Sequence, residues 1–318
     1  MKRLLIGLTS LFLLAGCGGG ASGDTDTLHV GSQRGGTRAL MIASGVLEGA
    51  PYEIEWSEFP AAQHLLEAIG GGAVDVGLTG DAPFIFAYQS GSRIQAIGAE
   101  MVKERPLGAL ALIVPARSTV RTLQDLKGKA VATTRGSVGH YLVIRALADA
   151  KLPPDWVKLT FLSPGDAKCA FDSGSIDAWS TWAPYLLPAF KAKARTIVDG
   201  NTLVSGYGFL VANDDAITGK PALLADFLKR EAKALEWQKT HKEDFARVLS
   251  KETGLPIDIA RDYANKNARS SVPIDDAVIA DQRQVLADFK VAGAVEGKRD
   301  LAAAFERTLS KTEVAAAQ

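Results

Sequence analysis

Four short stretches carry glycine and polar residues where a strand would hand over to a helix. They are 33–37 (Gln33, Arg34, Gly35, Gly36, Thr37), 79–81 (Thr79, Gly80, Asp81), 135–140 (Arg135, Ser137 and His140 among them) and 181–185. The last follows Trp179 and brings Trp182 and Tyr185 to the same seam. A helix N-terminus leaves its first N–H groups without carbonyl partners and carries a partial positive charge, so it can hold an oxyanion without a metal. The hydroxyls of Thr37, Ser137 and Thr181 would add donors. Taken singly, each turn also reads as an ordinary N-cap, because Ser, Thr and Asp are the preferred cap residues. Four such turns with aromatics interleaved point to an anion bearing an organic group.

The individual side chains have competing readings. Arg34, Arg38 and Arg135 are the cations near these turns, with Arg34 and Arg135 as the anion-facing candidates and plain solvent exposure as the alternative for each. Asp81 would oppose an anion if it pointed inward, so it is assigned to capping and to fixing its turn. His140 either donates to the anion or sits at a lobe surface. Trp179, Trp182 and Tyr185 either line the site or belong to the core, where aromatics usually go.

The elements needed to position these turns are those of an α/β protein, in which ligands bind outside the carboxyl ends of the strands. Period-2 and apolar runs predict strands at 28–31, 53–58, 74–78, 94–99, 109–114, 130–134, 158–162, 176–179 and 196–198. Helical spacing predicts helices between them, for example 61–69 burying Leu65, Leu66 and Ile69, and 138–150. Ser180-Thr181 reads as a polar turn, and Pro184 as an early residue of the next helix, where its missing N–H costs nothing. After a second apolar segment, 203–212, the pattern is helical: 221–239, 243–251, 257–265, 277–289 and 301–309. Alternating strands and helices with short connections mean a mostly parallel sheet. The runs 109–114 and 203–212 read as paired crossings, giving lobe I at 28–112 and 206–318 and lobe II at 113–205. A cleft between two lobes is a default ligand site, and two crossings can act as a hinge.

Composition narrows the function classes. The chain has 318 residues, 47% apolar and 23% charged, which suits two ordinary domains. Lys+Arg and Asp+Glu both number 36, so no basic footprint for nucleic acid exists. Residues 1–16 read as a signal peptide, with Lys2 and Arg3 before an apolar core. Leu14-Ala15-Gly16-Cys17 resembles a bacterial lipobox, which implies cleavage before Cys17, lipidation of its sulfur and a flexible tether over 17–27. The rival is a plain secretory peptide. Cys169 is then a lone thiol, expected to be buried and inert beside Ala167 and Ala170. No G-x-S-x-G elbow occurs, the four histidines lack metal-ligand spacing and no Cys-x-x-Cys is present. Leu123 and Ala130 stand where a phosphate-binding loop ending at Gly128-Lys129 needs Gly and Ser or Thr. Neither a metal nor a cofactor is expected.

The segments GSQRGGTRALMIASGVLE, IEWSEFPAAQHLLEAIGGGAVDVGLTGDAPFIFA, LKGKAVATTRGSVGHYLVIRALADA and FDSGSIDAWSTWAPYL run in order between residues 31 and 186. In their order and spacing they resemble the aliphatic sulfonate-binding proteins of ABC importers, within the nitrate, taurine and sulfonate group of periplasmic solute-binding proteins. The resemblance implies a two-lobe type II periplasmic binding protein fold and two hinge strands. It also implies closure on a small organic anion and delivery to an inner-membrane permease by a monomer at the periplasmic face. Carried over by position, the contacts would be Gln33, Gly35, Gly36, Thr37, Gly80, Asp81, Ser137, His140, Trp179, Trp182 and Tyr185. Two departures stand out. Val138 follows Ser137 where the family has a small polar pair, and Ala183 lies between Trp182 and Pro184 where the family often has an acid. Both imply a less polar pocket and a bulkier or more apolar tail on the ligand. Alternatives left open are a taurine, nitrate or other small-ligand binder, an enzyme of the thiamine pyrimidine-synthase type on the same fold, and a surface sensor without transport.

Overall fold

The computed structural model of the chain describes residues 27–33, 36–102 and 108–309. The signal peptide, Cys17, the tether up to residue 26, Arg34 and Gly35 lie outside the described residues. Thr27, expected in the tether, is already the first residue of a strand and pairs with Glu53.

In chain order the first half is β1 (Thr27–Gln33), α1 (Thr37–Ser44), β2 (Glu53–Phe59), α2 (Ala62–Gly70), β3 (Val76–Gly80), α3 (Asp81–Gln89) and β4 (Ile94–Met101). Next come β5 (Leu110–Val114), β6 (Ala130–Thr133), α4 (Val138–Asp149), β7 (Lys158–Phe161), α5 (Pro164–Ser173), β8 (Ala178–Trp182), α6 (Leu186–Lys191) and β9 (Arg195–Asp199). The chain finishes with β10 (Tyr207–Asn213), α7 (Asp214–Gly219), α8 (Pro221–Thr240), α9 (Lys242–Thr253), α10 (Ile257–Lys266), β11 (Ser270–Val272) and α11 (Asp276–Val291).

These form two sheets, ordered β11-β4-β10-β3-β1-β2 and β7-β6-β8-β5-β9. Both repeat one plan. Three strands run parallel in the order second, first, third, and a strand arriving from the other half is inserted antiparallel beside the third. That inserted strand is β10 in the first sheet and β5 in the second. From sequence alone both read as crossings between lobes. In the structure each lies wholly inside one sheet, and among the described residues the chain passes between the lobes over Gly200 to Gly206. The two runs are apolar because a strand in mid-sheet is covered on both faces: every residue of β5 is buried.

Close backbone contact sets the helices that face the cleft. Gly31 and Gly77 are register partners on β1 and β3. A Cβ on Gly77 would come within 2.8 Å of the Gly31 carbonyl and 2.9 Å of Leu65 Cδ1, so Leu65 of α2 sits directly on the bare sheet. Gly139 does the same for α4: its Cβ would meet the Ser180 carbonyl and Thr133 Oγ1, each at 2.7 Å. Ser180 Oγ donates to the Gly139 carbonyl at 2.7 Å and ties helix to strand.

Other sequence expectations shift. The strand expected at 176–179 runs from Ala178 to Trp182, because Thr181 and Trp182 pair with Ala111 and Leu110 of β5. Ser180 and Thr181 are therefore buried strand residues rather than a turn. Pro184, joined to Ala183 by a cis bond, precedes α6 instead of opening it. The helix expected at 301–309 is broken: a 3₁₀ turn, Ala302–Ala304, leads to Phe305, whose ring packs 5.7 Å from Phe84 and 5.6 Å from Phe209. Cys169 is exposed, since α5 turns Ala167 and Phe171 inward instead.

Helix α11 spans both lobes. Phe289 lies 5.7 Å from Phe86 of α3 and 5.5 Å from Tyr141 of α4. Beside it, the Tyr141 hydroxyl donates to Asp288 at 2.9 Å.

Candidate anion-binding site in the interlobe cleft

A cavity of about 210 Å³ lies between the two sheets. Four helices begin on its wall. Gly36 and Thr37 open α1, Ala62 opens α2, Gly80 and Asp81 open α3, and Ser137 and Val138 open α4. The N-caps of α1, α2 and α3 are Gly36, Ala61 and Gly80, and none makes a side-chain cap bond. Such a bond is worth about 1 kcal/mol; without it leading N–H groups remain for a guest, apart from the Ala82 N–H of α3, held by Asp81, and the Arg38 N–H of α1, 3.4 Å from Ser32 Oγ. Only α4 is capped: Ser137 Oγ accepts from the His140 N–H at 3.1 Å.

Asp81 is nearly sealed from solvent at 2% exposure. Its Oδ1 accepts from the Ala82 N–H at 2.7 Å and its Oδ2 from Ser205 Oγ at 2.5 Å. Gly80 holds the cap position assigned to Asp81, which instead anchors the first turn from inside the helix. Burial raises the Asp81 carboxyl above the ordinary carboxylate value, against the pull of the Ser205 and Ala82 bonds. That weakens its repulsion of an incoming anion.

The structure gathers Gln33, Gly36, Thr37, Gly80, Asp81, Ser137, Trp182 and Tyr185 on this cavity. Gln33 Nε2 donates to the Leu78 carbonyl at 2.7 Å and pins the end of β1 to β3. Trp182 and Tyr185 meet edge to face, with ring centroids 6.1 Å apart. Three candidates lie off the cavity. Trp179 is 2% exposed and packs 5.8 Å from Phe171 in the core of the second lobe. The Arg135 guanidinium lies over the Phe161 ring at 4.1 Å. The His140 ring is wedged between Phe161 and Phe289, with Nδ1 accepting the Gly136 N–H at 3.2 Å. Burial first, and the nearby Arg135 second, push its pKa down to about 4, so the ring is neutral at physiological pH.

Sequence reasoning misses the passage residues Gly200, Asn201, Val204 and Gly206 and the adjoining Tyr207 on the wall, and two further stretches. One is the start of α2, with Pro60, Ala62 and Gln63. Phe59-Pro60-Ala61 has the same strand-to-helix seam as the other turns but no Gly, Ser or Thr to mark it. The other is Lys266, Asn267 and Arg269, from the link between α10 and β11, where no periodicity points anywhere.

The lobes also touch directly across the cleft. The Tyr185 hydroxyl donates to the Pro60 carbonyl at 2.6 Å. Lys191 pairs with Asp258, and Ala183 and Leu187 pack against Leu255 and Ile259. Among the described residues no cluster of His, Cys, Asp and Glu could hold a metal ion.

Comparison with known proteins gives this architecture its relatives. The family described as NMT1/THI5 like matches residues 54–244. The aliphatic sulfonates-binding protein of Escherichia coli (strain K12) is 32% identical over 293 residues, covering 91% of this chain and 90% of its own. The chain belongs to the NMT1/THI5-like family and, within it, to the aliphatic sulfonate-binding proteins. The crystal structure of the periplasmic aliphatic sulphonate-binding protein from Escherichia coli matches with a TM-score of 0.77 at 30% identity, over 88% of this chain and 92% of that one. The alkanesulfonate-binding protein from Xanthomonas axonopodis pv. citri, bound to MOPS, matches with a TM-score of 0.81 at 28% identity, over 89% and 99%. The two-lobe binding-protein fold is therefore that of this NMT1/THI5-like chain as well.

Proposed function

We propose that the protein is the solute-binding component of an ABC import system and captures an organosulfonate in the interlobe cleft for delivery to the permease. The observation that carries this is the convergence of three uncapped helix N-termini on one cavity. A sulfonate is a compact oxyanion that stays charged at physiological pH, and such N-termini suit it without a metal or a covalent step. Trp182 and Tyr185 offer aromatic surface to the organic part. Capture and release is domain closure, with the Tyr185–Pro60 bond and the Leu187–Ile259 contact as interlobe ties that opening must break. Lipidation at Cys17 would hold a monomer at the periplasmic face beside its permease.

Titration calorimetry with alkyl and aryl sulfonates, nitrate and sulfate tests the reading. Heat is expected from the sulfonates. Heat from cations or neutral heterocycles alone would exclude it. Trp182→Ala should weaken long or aromatic sulfonates more than methanesulfonate, and an equal loss across the series would remove Trp182 from the tail site. A Cys17→Ser variant should lose incorporation of labelled fatty acid. A variant still labelled would end the lipid-anchor assignment.

A further inference from the structure

Four residues stand in a row across the first sheet: Gly80 on β3 pairs with Gly208 on β10, which pairs with Glu100 on β4, which pairs with Ser271 on β11. Arg269 leaves the chain just before β11 and reaches back along this row. Its Nε lies 3.3 Å from Glu100 Oε1, and its Nη1 donates to the Gly206 carbonyl at 3.5 Å. A Cβ on Gly208 would stand 2.7 Å from Arg269 Nη1 and 3.1 Å from Glu100 Oε1. The guanidinium therefore lies flat over a bare glycine, one strand away from Gly80, the N-cap of α3. Neighbouring strands are roughly 5 Å apart, so this charge sits beside the start of α3, where Asp81 holds the Ala82 N–H.

The ion pair is layered. Glu100 is 1% exposed and does not reach the cavity, whereas the Arg269 side chain is 24% exposed and lines it. An unpaired buried carboxylate is strongly unfavourable, so Glu100 fixes the guanidinium in place. Among the described residues no further hydrogen bond takes the remaining N–H groups of the planar fork, although the buried Asp81 carboxyl feels its charge. Lys266 also lines the cavity, but its ammonium is held at 2.9 Å by Asp262. A planar fork matches two oxygens of one oxyanion, which an ammonium does not.

We propose that Arg269, held by Glu100 across Gly208, is the fixed positive charge that meets the anionic head of the ligand at the start of α3. This deepens the sulfonate reading and rests on it. Arg269 is thus a specificity-determining residue for oxyanion heads, and Glu100 and Gly208 position it.

The experiment compares the wild type, Arg269→Lys and the double variant Glu100→Gln/Arg269→Gln, which removes both charges together. Titration calorimetry uses methane-, ethane- and hexanesulfonate, with melting temperatures measured alongside. A hydrogen bond to a charged group supports an expected affinity loss of about ten- to hundredfold in the double variant. That loss should be the same for every chain length, because the head is common to all, while the loss in Trp182→Ala grows with the tail. Arg269→Lys keeps the ion pair and should still lose at least about fivefold at an unchanged melting temperature. Should the double variant melt early, Arg269→Lys alone carries the test. Affinity within threefold of wild type in a folded variant overturns the assignment and leaves the sulfonate reading intact. A wild type that binds no sulfonate overturns both.

Discussion

Acid should destabilise this protein through His140. The ring is 3% exposed, accepts a hydrogen bond from the Gly136 N–H and has its pKa pushed from 6.5 down to about 4. Between those two values the unfolded chain binds a proton that the folded protein refuses, so stability is complete above pH 6.5 and falls as pH drops toward 4. At about 1.36 kcal/mol per unit, the whole shift corresponds to roughly 3 kcal/mol, of which about 2.5 kcal/mol is lost by pH 4.5. The perturbation is His140→Gln, whose amide oxygen can still accept from Gly136 but does not titrate. Urea denaturation at pH 7 and pH 4.5 measures both proteins. Carboxylates elsewhere contribute equally to the two, so the wild type should lose about 2 to 3 kcal/mol more than the variant. Parallel losses would refute the account of a neutral, desolvated imidazole.

Three further outcomes follow from named contacts. Gly139→Val places carbon against the Ser180 carbonyl and Thr133 Oγ1, and should cost about 1–3 kcal/mol in denaturant titrations; a neutral result would mean that α4 can move off the sheet freely. Tyr185→Phe removes one interlobe hydrogen bond and should weaken ligand affinity by about two- to tenfold, seen by stopped flow mainly as faster dissociation; an unchanged off-rate would remove Tyr185 from the closure contacts. Cys169 should react fully with a maleimide in the native protein, and a thiol that labels only after denaturation would contradict its exposure.

The alternation of strands and helices is readable because several strands, such as β1, β3 and β6, are short apolar runs closed by Gly, Ser or Thr, and α2 and α4 show plain helical spacing. What periodicity cannot report is which sheet a uniformly apolar strand joins. β5 and β10 looked like bridges because burial on two faces and passage between lobes leave the same apolar signature. The site was legible where local chemistry marks it, at Gly36-Thr37, Gly80-Asp81 and Ser137. It was misread where tertiary packing decides: Arg135 and His140 sit in a conspicuous turn, yet Phe161 and Phe289 claim their side chains. Conversely, Arg269 carries no local signal, because its place on the wall depends on Glu100, a residue 169 positions away.

The insertion of β10 between β3 and β4 has a consequence for the order of events in synthesis. Residues 110–199 supply all five strands of the second sheet from one unbroken run, so that half is complete in itself. The first sheet instead keeps a vacant slot between β3 and β4 until a strand encoded more than a hundred residues later arrives to fill it. Closing so distant a gap is slow, so the second half can fold while the first sheet still waits for β10.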